Sequence, residues 1–352
     1  ALLAGLYIHI PFCAKACFYC DFHFSVNRKM LPEMVQAIKQ ELEFYGKFGK
    51  GNYLPDTAIS TVYFGGGTPS VLSIKDLDEI LKTIHEHYII ESNIELTLEA
   101  NPDNLTKEYC QSLKQLGVNR LSIGIQSFND DHLKWMNRSH NEAQALTCVE
   151  NALASQIDNL NVDLIYGFPL LSDDHWLQNL DIVKQMPLNH LSAYCLTVED
   201  KTPLDKLIRT GRYAAPEEDS ASRQFAMLMD WAKQNDWEQY EISNFCRNGA
   251  YSKHNTAYWQ QQMYLGIGPS AHSYNRVSRH WNVNDNKAYV ESWNTGIPAS
   301  TLEILERKEQ VNDLILTALR TIWGLNLNKL ESLCGQAHWV AIQPTITQYV
   351  NA

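Results

Sequence analysis

The sequence predicts an α/β protein, a parallel sheet with helices on its outside. Three observations predict it. Six short runs dense in Val, Ile, Leu, Tyr or Phe are bounded by Gly, Pro, Asn or Asp, as strands are. Amphipathic helical stretches separate them. Strand–helix–strand units in series connect parallel strands by right-handed crossovers. At 352 residues the chain is long enough for one large domain and a smaller one.

The elements follow in order. The opening segment Ala1–Leu6 lacks a positive leading region and a small-residue cleavage site, so it reads as the run-in to a strand, Leu6–Ile10, rather than a signal peptide. A helix is expected over Met30–Phe48 and the second strand over Thr61–Phe64. The clearest helix carries Leu77, Ile80, Leu81, Ile84 and Tyr88 at 3.6-residue spacing. Ser73 with Asp76 three residues on makes a capping-box-like start, and Leu72 can staple to Leu77. The strand Ile94–Leu98 precedes a helix over Thr106–Leu116, stopped by Gly117 as a left-handed cap. Strands Arg120–Ile125, Asn161–Ile165 and His190–Leu196 then alternate with helices Glu142–Ser155, Asp174–Met186 and Glu217–Gln234. Beyond about Asp236 the alternation fails. Shorter strands at Tyr240–Phe245, Tyr264–Ile267 and Ala271–Val277 precede a helix over Ile304–Trp323, which divides the chain into residues 1–235 and a smaller α+β module, 236–352.

Composition excludes several classes. With 45% hydrophobic and 20% charged residues the chain is neither disordered nor fibrous. The formal net charge of −11 and the absence of a basic run argue against sequence-independent nucleic-acid binding, which needs clustered cations. No apolar stretch approaches the ~18–20 residues of a membrane span. Of eight cysteines, Cys13, Cys17 and Cys20 are packed together and the rest dispersed, which fits a thiolate cluster in a reducing compartment better than a disulfide framework. A cytoplasmic location is expected.

The chemistry lies at the downstream ends of the strands, where a parallel α/β barrel builds its active site. The first strand runs into Cys13-x3-Cys17-x2-Cys20, the second into Gly65-Gly66-Gly67-Thr68-Pro69, and the third into Glu99-Ala100-Asn101-Pro102. The fourth ends at Gln126-Ser127, the fifth carries Asp163 and the sixth Tyr194. Three thiolates on a short loop can bind three irons of a cubane cluster and leave the fourth open to a ligand. They can also hold zinc with His23, or Cys17 and Cys20 can act as a redox pair. The glycine triplet lets backbone N–H groups approach a ligand, although a tight turn needs glycine equally. Taken singly, Arg138 reads as a surface cation and Asp163 as a satisfied buried acid. As a set, Glu99, Gln126, Arg138 and Asp163 could hydrogen-bond an amino acid and a ribose.

The run Tyr7-Ile8-His9-Ile10-Pro11-Phe12-Cys13-x3-Cys17-x-Tyr19-Cys20-Asp21-Phe22, followed by Tyr63-Phe64-Gly65-Gly66-Gly67-Thr68-Pro69, resembles the radical S-adenosylmethionine (SAM) superfamily. The likeness runs from about Leu6 to Trp323, and is closest to the branch that holds oxygen-independent coproporphyrinogen III dehydrogenase and a haem-chaperone subgroup. The resemblance implies a partial (β/α)6 TIM-type barrel with a smaller C-terminal α+β module. It implies a [4Fe-4S] cluster on Cys13, Cys17 and Cys20, with S-adenosylmethionine chelating the open iron. Tyr7, Tyr19, Gly66, Gly67, Thr68, Glu99, Gln126, Arg138 and Asp163 match the family's cofactor contacts.

Two features choose within the branch. The dehydrogenase carries a further cysteine two residues after the third ligand, where this chain has Phe22. His254-Asn255-Thr256-Ala257-Tyr258-Trp259 matches the HNxxYW motif associated with haem in the chaperone subgroup. It implies His254 as the axial ligand, flanked by Asn255, Tyr258 and Trp259, with His272 and His280 as other candidates. The same residues in an ordinary core would simply pack. No CxxCH is present, so covalent c-type attachment has no sequence support. The expected function is therefore a haem chaperone that delivers haem to acceptor proteins. The alternative is a dehydrogenase that oxidatively decarboxylates coproporphyrinogen propionates.

Overall fold

The computed structural model describes residues 2–47, 53, 54 and 57–350. One twelve-stranded sheet organises them. Six strands, β1 (Leu2–Ile10), β2 (Thr57–Gly66), β3 (Ile89–Ala100), β4 (Arg120–Gln126), β5 (Asn159–Tyr166) and β6 (His190–Cys195), pair in parallel and in sequence order. The expected strands all appear, each lengthened at one or both ends except the last, which stops one residue short. The expected positions Ala1 and Phe48 lie outside the described residues.

Side-chain alternation decides the two faces. Leu6, Ile8 and Ile10 of β1, Val62 and Phe64 of β2, and Leu121 and Ile123 of β4 point outward under the helices and are almost fully buried. The helix Leu31–Tyr45 lays Met34, Ile38 and Leu42 on this layer, and Ile74–His87 adds Leu77, Ile80 and Ile84. The cap read from sequence forms as expected, Ser73 accepting from the Asp76 N–H, and Thr106, expected as the first helical residue, is itself the cap of Lys107–Gln115 and accepts from the Tyr109 N–H. Gly117 takes the left-handed conformation, φ +90°, that ends the helix before it. The inward positions are polar. Tyr63 donates to Glu99, Asn161 to Ser122 and Asp163, and Ser192 to Asn161.

The C-terminal segment joins the same sheet on both flanks. β7 (Glu238–Gln239) and β8 (Asn244–Cys246) form a hairpin whose second strand runs antiparallel to β6. The single strand expected over Tyr240–Phe245 is broken there, because the Glu241 carboxylate accepts the Ser243 N–H and bends the chain. On the other flank β9 (Met263–Ile267) pairs in parallel with β1, followed by the antiparallel β10 (His272–Tyr274), β11 (Ser278–Asn282) and β12 (Ser300–Ile304). β10 stops short of the expected Val277 because Asn275 Oδ1 accepts the N–H groups of Val277 and Ser278, an Asx turn. The helix expected from Ile304 spans Arg307–Ala318, since a capping box between Glu306 and Glu309 sets its start. The end strands β7 and β12 do not pair, so the sheet curls partway and stays open.

A buried carboxylate fastens this flank. Glu41 accepts from the Gly268 N–H (2.8 Å), Asn282 Nδ2 (2.7 Å) and the Tyr289 hydroxyl (2.5 Å), and burial pushes its pKa up to about 7. No helix among the described residues is long and apolar enough to cross a membrane.

Candidate cofactor site at the strand ends

The carboxyl ends of β1–β6 open onto a pocket of about 420 Å³, within the ~300–1,000 Å³ usual for cofactor sites. Cys13, Cys17 and Cys20 line one side on the loop after β1; Gly66, Gly67 and Thr68 form the floor, and Glu99, Gln126, Arg138 and Asp163 the far wall. Tyr19 also lines it. Tyr7 does not: it faces an adjoining cleft and its hydroxyl pairs with His9 Nδ1 at 3.2 Å.

Each of these side chains is held by a local cause. Thr68 donates to Cys13 Sγ at 3.3 Å, while the Thr68 N–H reaches the Phe12 carbonyl at 2.8 Å, locking the cysteine loop onto the end of β2. Arg138 donates to Cys17 Sγ (3.1 Å), Asn101 Oδ1 (2.8 Å) and the Gly124 carbonyl (2.6 Å), and its Nε is buried without a partner. Gln126 sits at φ +70° where β4 slips register against β5, a left-handed conformation uncommon outside glycine. Such strain persists where the surroundings impose it, and here it falls beside the pocket. Glu99 accepts from Tyr63 at 2.8 Å; burial raises its pKa to about 7, and Asp163 adds to the rise. Burial likewise raises Asp163, against the hydrogen bond it accepts from Asn161.

Two residues of the glycine triplet are required sterically. A Cβ on Gly66, at φ +107°, would meet the His9 ring at 2.6 Å, and one on Gly67 would meet the Phe12 carbonyl oxygen at 2.7 Å. The Gly67 neighbours are backbone and cannot swing away. Gly67→Ala is therefore expected to cost about 1–3 kcal/mol by overpacking. It should also weaken S-adenosylmethionine binding, read by thermal denaturation and by equilibrium dialysis on the same protein. An unchanged Tm and affinity would refute the assignment of this floor.

The residues of the HNxxYW stretch sit elsewhere. They form the helix Lys253–Trp259, which packs against β1 and β2 on the N-terminal side of the barrel. Glu95 accepts the N–H groups of Lys253 and His254 at 3.0 Å each. His254 is 2% exposed; its Nδ1 pairs with Thr61 and its Nε2 with Tyr258, both at 2.7 Å. Its ring stacks on Tyr63 at 4.9 Å, and Gly5 opposite leaves it the room. Of the four residues expected around haem, Tyr258 lines the cleft that adjoins the cofactor pocket and the other three line neither. Of the other candidates, His280 is buried between Tyr45 and Tyr53, whereas His272 is exposed.

Comparison with known proteins places this geometry. The model of the Radical SAM superfamily matches residues 7–183. The heme chaperone HemW of Bacillus subtilis is 33% identical over 339 residues, covering 95% of this chain and 88% of the relative. The chain belongs to the HemW family of radical SAM proteins. Mouse radical S-adenosyl methionine domain-containing protein 1, mitochondrial, is 31% identical over 98% of this chain and 77% of its own. Among solved structures, the coproporphyrinogen III oxidase HemN of Escherichia coli superposes with a TM-score of 0.82 at 21% identity, over 94% of this chain and 78% of that one. It bears out the partial barrel.

Membership of the HemW family and its superfamily implies a [4Fe-4S] cluster and S-adenosylmethionine, and the pocket fits them. A cubane spreads three thiolates over three irons, so they need not converge on one point. They do not: among the described residues no three His, Cys, Asp or Glu side chains are placed to hold a single ion. His23, the fourth ligand of the zinc alternative, does not line the cysteine pocket and donates from Nε2 to Asn286 at 2.7 Å. As a redox pair Cys17 and Cys20 are poorly suited, because burial pushes the Cys20 thiol up to about 12. Asn101, which the sequence offers only as part of a strand end, orients Arg138. Its role shows only once the loop after β3 and the loop before the helix Glu142–Ala154 are brought together.

Proposed function

We propose that this protein is a haem chaperone, which binds haem and passes it to acceptor proteins from a scaffold that holds a [4Fe-4S] cluster and S-adenosylmethionine. The observation that carries the reading is 33% identity over 95% of the chain to a relative named as a heme chaperone. Phe22 supports it, standing where the dehydrogenase branch has a cysteine and lying 69% exposed beside the pocket. The likeness to coproporphyrinogen III oxidase, at 21% identity, speaks for the fold alone. Residues 1–235 are assigned to the cofactor pocket and 236–352 to haem handling, in the cytoplasm.

On this reading Cys13, Cys17 and Cys20 carry the cluster. Tyr19, Gly66, Gly67, Thr68, Glu99, Gln126, Arg138 and Asp163 surround S-adenosylmethionine, with Tyr7 behind them. When bound, the pair supplies one-electron chemistry. Arg138 is a fixed cation whose Nη1 donates to Cys17 Sγ and so holds that sulfur at the pocket. Burial holds the pKa of Glu99 near 7, and a cationic ligand beside it would draw the group toward the carboxylate, because an opposite charge lowers its pKa.

The test is a haem titration of anaerobically reconstituted protein, with coproporphyrinogen III turnover measured on the same batch. Stoichiometric haem binding without porphyrin turnover is expected. Turnover without haem binding would replace the chaperone by the dehydrogenase.

A further inference from the structure

The motif histidine is poorly placed to ligate iron. An axial imidazole needs a nitrogen lone pair facing open space, and both nitrogens of His254 are taken. The ring lies at the level of Gly5, five residues below the end of β1, or roughly 16 Å at about 3.3 Å per residue. What surrounds it is packing: Thr61, Tyr63, Gly5 and the helix capped by Glu95.

A second cavity is better suited. It measures about 930 Å³, roughly twice the first, and the two share Asp21, Phe22 and Phe24 along their common border. Its floor is one face of β9–β11: Tyr274 lies beside Tyr264 on one side and Arg279 on the other, and His272 lies opposite Trp281. Its wall is the helix Arg307–Ala318 and the turn after it, where Asp313, Leu316, Thr317 and Arg320 recur at helical spacing. Tyr258 closes the end.

The groups in this cleft match a flat, apolar, dianionic ligand with a central metal. His272 is exposed and its side chain makes no hydrogen bond among the described residues, while its ring stacks on Trp281 at 5.8 Å and 23°. Its pKa is lowered by burial of part of the ring and by Arg279, which keeps the imidazole neutral as a metal ligand must be. Of the other two histidines, His9 is taken at both nitrogens, donating to the His23 carbonyl at 2.9 Å and pairing with Tyr7, while His23 donates from Nε2 to Asn286 and stands between Phe22 and Phe24 at the border with the cysteine pocket, off the tyrosine-lined floor. Arg279 is neutralised by Asp313, but Arg320 is exposed and has no ion pair among the described residues. Tyrosine faces suit the macrocycle, and a free guanidinium suits a carboxylate.

We propose that this cleft is the haem seat, with His272 as the iron ligand and Arg320 at a propionate, and that His254 shapes the barrel instead. The proposal rests on the chaperone reading of the preceding subsection.

The test is a hemin titration of the full chain, followed by its Soret band, for the wild type, His272→Gly, Arg320→Glu and His254→Ala. In His272→Gly the Soret maximum is expected to move and affinity to fall tenfold or more, with an unchanged Tm. Added imidazole should restore the wild-type spectrum, which a merely structural role would not allow. Arg320→Glu should weaken binding several-fold without moving the band. His254→Ala should lower Tm yet keep the wild-type Soret position at a temperature where it is folded. His272→Gly with wild-type spectrum and affinity would overturn the assignment, as would loss of the band in folded His254→Ala. If the wild type itself binds no haem, the chaperone reading falls, and the seat with it.

Discussion

Replacing Cys13, Cys17 and Cys20 together by Ala is expected to reduce reconstituted iron from about four atoms per chain to background. The three sulfurs are the only cysteines lining the strand-end pocket apart from Cys195, which lies across it on β6. Cys110, Cys148, Cys246 and Cys334 are buried in the structure away from the rim and offer no substitute. The fold should survive, since Cys17 and Cys20 are only half-buried and two hydrogen bonds are lost, from Thr68 to Cys13 and from Arg138 to Cys17, while Arg138 keeps those to Asn101 and Gly124. A cost of about 1 kcal/mol is in line with such a change. Iron and sulfide analysis on the anaerobically reconstituted variant decides it; iron retained at wild-type stoichiometry would sink the ligand assignment. Haem binding should persist in the same variant, because Phe22 and Phe24 separate the cleft of His272 from the cysteine pocket.

Acid is expected to unfold the protein well before its carboxylates titrate out. Burial lowers seven histidines, His9, His132 and His280 to about 4, His140 and His254 to about 3, and His190 and His272 in the same direction. Arg138 adds to the effect at His140 and Arg120 at His254. The unfolded chain protonates each near pH 6.5 while the folded one does not, so their contribution is intact above that pH and is lost as pH falls toward 4. Glu41 and Glu99 act in the opposite sense. Both are raised to about 7, so the folded state holds protons that the unfolded state releases above about 4.5, and each loses stability as pH rises through that window. Asp163 and Glu241 are raised in the same way, and the seven histidines outweigh these four acids. At about 1.4 kcal/mol per group per pH unit, stability should fall by roughly 3 kcal/mol per unit as pH drops from about 6 to about 5. Urea midpoints across that range measure it, and a flat or inverted profile would show that the histidines are not held neutral. Glu41→Gln removes one opposing group and should steepen the profile.

Much of the scaffold was legible in the chain itself because its signals are local. Leu77, Ile80 and Ile84 at helical spacing, a capping serine at Ser73 and Gly117 at a helix end act over a few residues. The structure places each where the spacing puts it. The alternation of Leu6, Ile8 and Ile10 with Tyr7 and His9 likewise announced a strand with one greasy and one polar face. The C-terminal third was less readable. Its short strands are punctuated by side-chain turns at Glu241 and Asn275, and such turns carry weak periodic signal.

The sequence by itself determined the βα series, the thiolate loop after the first strand, the glycine turn after the second and the family they belong to. These follow from residue spacing, which is local. Only the tertiary structure decided which histidine nitrogens are engaged. His254 and His272 lie eighteen positions apart, in contexts equally rich in aromatics. The fold threads one between Thr61 and Tyr258 in the barrel and leaves the other free on the face of β10. A nitrogen lone pair is spent or available according to contacts made across the chain, and no spacing in a linear sequence encodes that.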